Sequence, residues 1–162
     1  MARFGRRKFL AAAAAGTTAG CSRALSPWRF FTPAEARTLE AICECIIPED
    51  DDPGARRAEV IGYIDRQLSG KFRDQRAVYR AGIAAAGDFA SLTPGWQLER
   101  MHHLERDPAT RPFIDLVIAH AMQGFYGNPR HGGNRDFASW RMLRIPILPV
   151  RGRATEAAGE KG

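Results

Sequence analysis

Apolar residues recur at every third or fourth position through most of this chain. Leu39, Ile42, Cys43 and Ile46 make one helical face, and Val60, Ile61, Ile64 and Leu68 make a second. A third face starts at about Asp74 and carries Tyr79, Ile83 and Phe89 inward. A fourth follows Thr93-Pro94 with Leu98, Met101 and Leu104, and a fifth runs from about Arg111 with Phe113, Leu116, Val117, His120 and Phe125. Thr32-Pro33-Ala34-Glu35 forms a capping box with proline at the first helical position. Pro48, Gly70 and Asp107-Pro108 are the stops. No stretch alternates with period two for long enough to make a strand. Residues 145–150 are apolar but carry Pro146 and Pro149, which restricts them to an extended arm or an edge. The pattern predicts an all-α fold: a compact bundle of about five short helices, then a Gly/Asn/Pro-rich C-terminal loop and an extended arm.

The first twenty residues follow a different rule. Arg6-Arg7-Lys8-Phe9-Leu10 precedes an unbroken run of small residues over 11–19 and then Gly20-Cys21. The paired arginines ahead of Phe9 and Leu10, with a weakly hydrophobic stretch behind them, resemble a twin-arginine export signal. That pathway carries proteins already folded. A Sec signal with an incidental arginine pair is the alternative, although its core is usually greasier. The apolar run over 9–19 is about half of the ~20 residues a helix needs to span a bilayer, which argues against a plain anchor. Thr18-Ala19-Gly20-Cys21 is similar to a lipoprotein cleavage box, with Thr18 where Leu is usual. Lipidation of Cys21 and ordinary cleavage at a nearby small-residue site both stay open. The organisation expected is a signal peptide over 1–20, a linker over 21–31, a helical domain over 32–150, and a charged, Gly/Ala-rich, disordered tail over 151–162.

Charge narrows the function classes. The formal charge of +6 includes Arg3, Arg6, Arg7 and Lys8, and no acidic residue precedes Cys21, so the chain from Cys21 onward carries only +2. No Lys/Arg-rich run remains there, and nucleic-acid binding is not expected. Cys43 and Cys45 lie two apart in a predicted helix, where side chains diverge, so two reduced and mostly buried thiols are expected. No haem-attachment motif is present, and the cysteines cannot hold an iron–sulfur cluster unaided. Asp50-Asp51-Asp52 lacks the ligand alternation of a calcium loop. It reads as a solvated turn that favours the positive end of the next helix. His102 and His103 are adjacent, diverge on a helix and make a poor metal pair. His120 lies on an apolar face and reads as a core histidine, and His131 has no serine or cysteine nucleophile near it in sequence. No catalytic, metal or cofactor-binding residue is assigned in this chain.

Residues 127–140 are too rich in Gly and Asn for regular structure. Asn128-Pro129 and Gly132-Gly133 are turn dipeptides. Two readings stand. The segment is either a docking surface, with Asn128, Pro129, His131, Gly132, Gly133, Asn134 and Trp140 facing a partner, or a stiff connector whose polar side chains bond its own backbone. Trp28 and Phe31, in an aromatic lead-in to the first helix, are further interface candidates because partner surfaces favour large aromatics beside adaptable loops.

Phe31-Thr32-Pro33-Ala34-Glu35, Ile47-Pro48-Glu49-Asp50 leading to Pro53-Gly54-Ala55, Tyr63-Ile64-Asp65-Arg66-Gln67-Leu68, and Tyr126-Gly127-Asn128-Pro129 with Gly132-Gly133-Asn134 and Trp140 occur in that order. Together they resemble the gluconate 2-dehydrogenase subunit 3 family, over nearly all of 30–146. The resemblance implies a small subunit of a periplasmic or membrane-bound sugar or sugar-acid dehydrogenase. In such complexes a large flavoprotein of the glucose-methanol-choline type holds FAD and oxidises the substrate, and a cytochrome c often takes the electrons. The flavoprotein usually lacks an export signal, and the small subunit supplies one for both. The resemblance thus places FAD in the partner and no cofactor in this chain. It implies a periplasmic location, with membrane association through the complex or through a lipidated Cys21.

Overall fold

Thr32 opens the first helix as its spacing requires. Its hydroxyl accepts from the Glu35 backbone N–H at 3.3 Å, and the Glu35 carboxylate accepts from the Thr32 N–H at 2.8 Å. The computed structural model describes residues 26–147; the export-signal residues Arg6, Arg7, Phe9 and Leu10, Cys21, and the expected tail lie outside them. From that cap runs α1 (Pro33–Ile46), followed by α2 (Val60–Ser69), α3 (Arg76–Ala86), α4 (Pro94–Arg106), α5 (Arg111–Tyr126) and a short α6 (Ala138–Met142). Single 3-10 turns lie at Arg73–Gln75, Phe89–Ser91, Pro129–His131 and Arg135–Phe137, and there is no strand among the described residues. The fold is all-α.

α5 is the central helix and packs against the other five. It is centred by composition, because Phe113, Ile114, Val117, His120, Ala121, Gly124 and Phe125 cover more of its circumference with buried groups than any single stripe would. Leu39 and Ile42 from α1, Ile64 and Leu68 from α2, and Tyr79 from α3 close around it. The faces expected for α1 and α2 are buried as the periodicity predicts, with Ile46 half-buried at the helix end.

Three expectations needed correction. Phe89 is fully buried but lies beyond α3, on the 3-10 turn that follows Gly87, whose φ of 64° ends the helix. Leu98, expected inward, is 54% exposed: α4 is turned so that Leu104 is its one fully buried residue, with Gln97, Arg100 and Met101 half-buried beside it. The three aspartates do not meet the start of α2, because residues 55–59 intervene. The Glu44 carboxylate instead accepts from the N–H groups of Glu49 (3.1 Å) and Arg56 (2.9 Å), and Asp50 accepts from Asp52 (2.8 Å) within a solvated turn. The arm has no regular structure through its described part, and Ile145 and Ile147 are exposed.

His120 is a core histidine. Its Nδ1 lies 2.8 Å from the Tyr79 hydroxyl, and its ring stacks on Phe72 at 4.6 Å. Burial holds its pKa below the ordinary value near 6.5. An unfolded His120 therefore takes a proton that the folded one resists. The contribution to stability is complete above the unfolded pKa of about 6.5 and is lost as pH falls through the lower folded pKa. The melting temperature should drop between pH 7.5 and 5.5. A Tyr79→Phe/His120→Phe double variant, which removes both polar partners, should melt with a flatter profile over that window. Parallel profiles would assign the pH dependence to other groups.

Candidate partner interface

The lead-in to α1 is bound to the body before the helix begins. Asp65 stands on the inward face of α2 and is only 4% exposed. Its carboxylate accepts from three successive backbone N–H groups, those of Arg29 (2.8 Å), Phe30 (2.9 Å) and Phe31 (3.2 Å). A buried carboxylate requires such partners, and these donors would otherwise be unpaired. From α3, Arg80 donates to the Phe30 carbonyl at 2.9 Å and lies 4.4 Å from the centre of the Phe30 ring, while also pairing with Glu35. Arg76 approaches the same ring at 5.1 Å. Phe31 is consequently core, at 3% exposure, and Trp28 is half-buried. A partner can meet Trp28 but not Phe31. The end of the expected linker is part of the domain. The signal for this was an acid within an otherwise apolar helical face: Ile61, Ile64, Asp65 and Leu68.

The 127–140 segment is held by its own side chains. Asn128 accepts from the Arg130 N–H at 3.1 Å and so caps the Pro129–His131 turn. Asn134 is fully buried; its Nδ2 donates to the Gly127 carbonyl and its Oδ1 accepts from the Ser139 N–H, both at 2.9 Å. Ser139 Oγ then donates to the Phe125 carbonyl at 2.6 Å, and Trp140 Nε1 to the Tyr126 carbonyl at 2.9 Å. The last carbonyls of α5, which a helix leaves without partners, are thereby satisfied by α6. Arg66 of α2 donates to the Arg130 carbonyl at 2.7 Å and fixes the other side of the loop. These are the hydrogen bonds expected of a stiff connector. Gly133 and Asn134 are buried, Gly132 is half-buried against α2, and Pro129, His131 and Trp140 stay accessible in whole or part.

Chemistry at the surface is modest. Exposed His131 accepts at Nε2 from Arg130 Nε at 3.0 Å. His102 lies 3.9 Å from Glu105, and His103 is exposed on another side of α4. Among the described residues no group of three or more His, Cys, Asp or Glu side chains could hold a metal ion, and no helix is long and apolar enough to cross a membrane. Cys43 is buried and Cys45 half-buried; both are free thiols, and burial raises the pKa of each. A cleft of about 330 Å³ lies between the acidic turn and α6, lined by Asp51, Asp52, Arg57, Arg135, Asp136 and Arg141. Arg135 is tied there to Glu59 and Asp136.

Sequence reasoning did not single out the outer side of α5. Ile118, Met122 and Tyr126 stand four residues apart on it, with exposures of 38%, 43% and 41%. The four-residue spacing was visible, but it was masked by the stronger inward pattern of the same helix.

No curated protein and no solved structure matches the chain. The family model described as gluconate 2-dehydrogenase subunit 3 matches residues 33–146, from the first residue of α1 to the arm beyond α6. That span includes all six helices of the described residues and more than half of the sequence, and the chain belongs to the gluconate 2-dehydrogenase subunit 3 family.

Proposed function

We propose that this chain is the non-catalytic small subunit of a periplasmic, FAD-dependent dehydrogenase of sugars or sugar acids. It carries a glucose-methanol-choline type flavoprotein across the membrane on its own twin-arginine label and then steadies it. The single observation that carries this reading is the family match over 33–146 behind an Arg6-Arg7-Lys8-Phe9-Leu10 label. FAD belongs to the large subunit, and a cytochrome c is a suitable electron acceptor. The complex, or a lipidated Cys21, supplies attachment to the membrane. A pathway that moves folded cargo suits a carrier that must assemble with its flavoprotein first. The clamp of Asp65 on residues 29–31 supports this division of labour, because it joins whatever precedes Trp28 to the folded body over a very short distance.

The test is an Arg6→Lys/Arg7→Lys double variant, in cells also expressing the large subunit. Dehydrogenase activity should disappear from the periplasm and accumulate in the cytoplasm. Undiminished periplasmic activity would overturn the proposal. The Thr18-Ala19-Gly20-Cys21 box favours a second reading, a solitary lipoprotein with a structural or binding role. An untagged flavoprotein that co-purifies with this chain in a one-to-one ratio would eliminate it.

A further inference from the structure

We propose that the large subunit docks on the outer side of α5 and on residues 143–147, through an apolar patch of its own rimmed by acidic residues. This rests on the functional reading above and gives it a surface. Eight large hydrophobic side chains are conspicuously exposed among the described residues, and six of them lie here: Ile118, Met122 and Tyr126 on α5, and Leu143, Ile145 and Ile147 beyond α6. On α5 the row extends about 12 Å, eight residues at 1.5 Å each. The two parts adjoin. Trp140 of α6 donates to the Tyr126 carbonyl, and the Ile145 N–H donates to the Trp140 carbonyl at 2.8 Å, so the arm leaves from the end of the α5 row. Exposed apolar groups gathered on adjoining elements of one domain mark a binding surface more than scattered ones do.

Charge identifies the occupant. Between residues 116 and 147 there are four arginines, Arg130, Arg135, Arg141 and Arg144, and one acidic residue, Asp136. The stretch contains no lysine and no glutamate. Arg135 is neutralised by Glu59 and Asp136, and Arg141 shares the cleft lined by Asp51, Asp52 and Asp136; Arg130 and Arg144 have no carboxylate partner among the described residues. Interfaces are enriched in Arg, Met and Tyr and depleted in Lys and Glu, which is the composition found here. Two copies of this chain meeting through the same patch would bring these arginines face to face, which a twofold contact cannot relieve. A partner with acidic groups around an apolar centre satisfies both features, and a chain of a dehydrogenase-subunit family has another subunit to meet. The 127–140 connector then acts indirectly, by holding α6 and the arm against the end of α5.

The experiment measures binding of the full chain, processed as in the cell, to the purified FAD-bearing large subunit. It compares wild type, Met122→Asp/Ile145→Asp, Arg130→Glu/Arg144→Glu and His131→Ala. All substituted residues are exposed or half-exposed, and urea unfolding of each free chain verifies that the fold persists. The apolar pair should weaken binding by about 100-fold or more, as loss of central anchors does, and the charge reversal by about 10-fold, mainly in the association rate. His131→Ala should bind as wild type does. Full-strength binding by both double variants overturns the docking surface while leaving the functional reading intact. Loss confined to His131→Ala does the same and moves the contact to the loop. A wild-type chain that ignores the large subunit overturns the functional reading and this surface with it. Two further outcomes count against the proposal: wild-type flotation on phosphatidylglycerol vesicles, or wild-type self-association, that the double variants abolish while large-subunit binding is untouched.

Discussion

Replacing Asp65 with alanine is expected to destabilise the free chain by roughly 3–4 kcal/mol, a large fraction of the ~5–15 kcal/mol that holds a domain of this size together. Three backbone N–H groups end on this one carboxylate, and none of them bonds to another acceptor among the described residues. A buried donor left unpaired costs about 1–3 kcal/mol. Arg29 is exposed and recovers part of its loss from water; the Phe31 N–H is buried and recovers none. Asp65→Asn keeps one acceptor oxygen and should lose about half as much. Urea unfolding gives the magnitude, and hydrogen exchange at Phe30 and Phe31 locates it. Release of those amides ahead of global unfolding is the expected signature, because the lead-in detaches before Phe31 leaves the core. An alanine variant that unfolds at the wild-type midpoint, with both amides still protected, would mean that the clamp does not exist in solution.

That clamp was only half legible in the sequence. Where an element has many apolar residues, as in α1, α2 and α5, their spacing defines the buried face and the structure follows it. α4 has few. Trp96, Leu98, Met101 and Leu104 can be divided between two faces, and the choice fell to tertiary packing around Gln97, whose amide donates to the Phe89 carbonyl at 3.2 Å. Leu98 was lost outward in consequence. α6 is five residues long and is approached through Asn134, Asp136 and Phe137, all with φ between 47° and 58°. Asparagine tolerates that region, but no local preference would place phenylalanine there, so the helix could not be read in advance. Adjacent glycines such as Gly132 and Gly133 permit close approach by another backbone as well as a turn. What they could not announce was which backbone they approach, since that depends on where α5 ends in space.

Gly133 approaches α5, and Gly133→Ala should destabilise the chain by about 3 kcal/mol, the upper end of ordinary overpacking. A Cβ at this position would lie 2.3 Å from the Gly124 carbonyl oxygen, 2.8 Å from its carbon and 3.0 Å from the Gly124 Cα. All three are backbone atoms of the central helix, so no rotamer change relieves the clash. The loop must lift. Lifting it pulls Asn134 from the Gly127 carbonyl and from Ser139, and draws the Ser139 hydroxyl from the Phe125 carbonyl, so the strain spreads into the junction between α5 and α6. Gly95→Ala is the matching control. Nothing lies within 4 Å of its Cβ position, and in the first turn of α4 the same substitution should stabilise by about 0.5 kcal/mol through the unfolded state. Urea midpoints moving in opposite directions are the expected result. Equal midpoints would mean that loop and helix stand further apart than 2.3 Å allows. If the docking surface is as proposed, Gly133→Ala should also weaken large-subunit binding without touching any residue the partner meets, because the arm loses its position against the row of Ile118, Met122 and Tyr126.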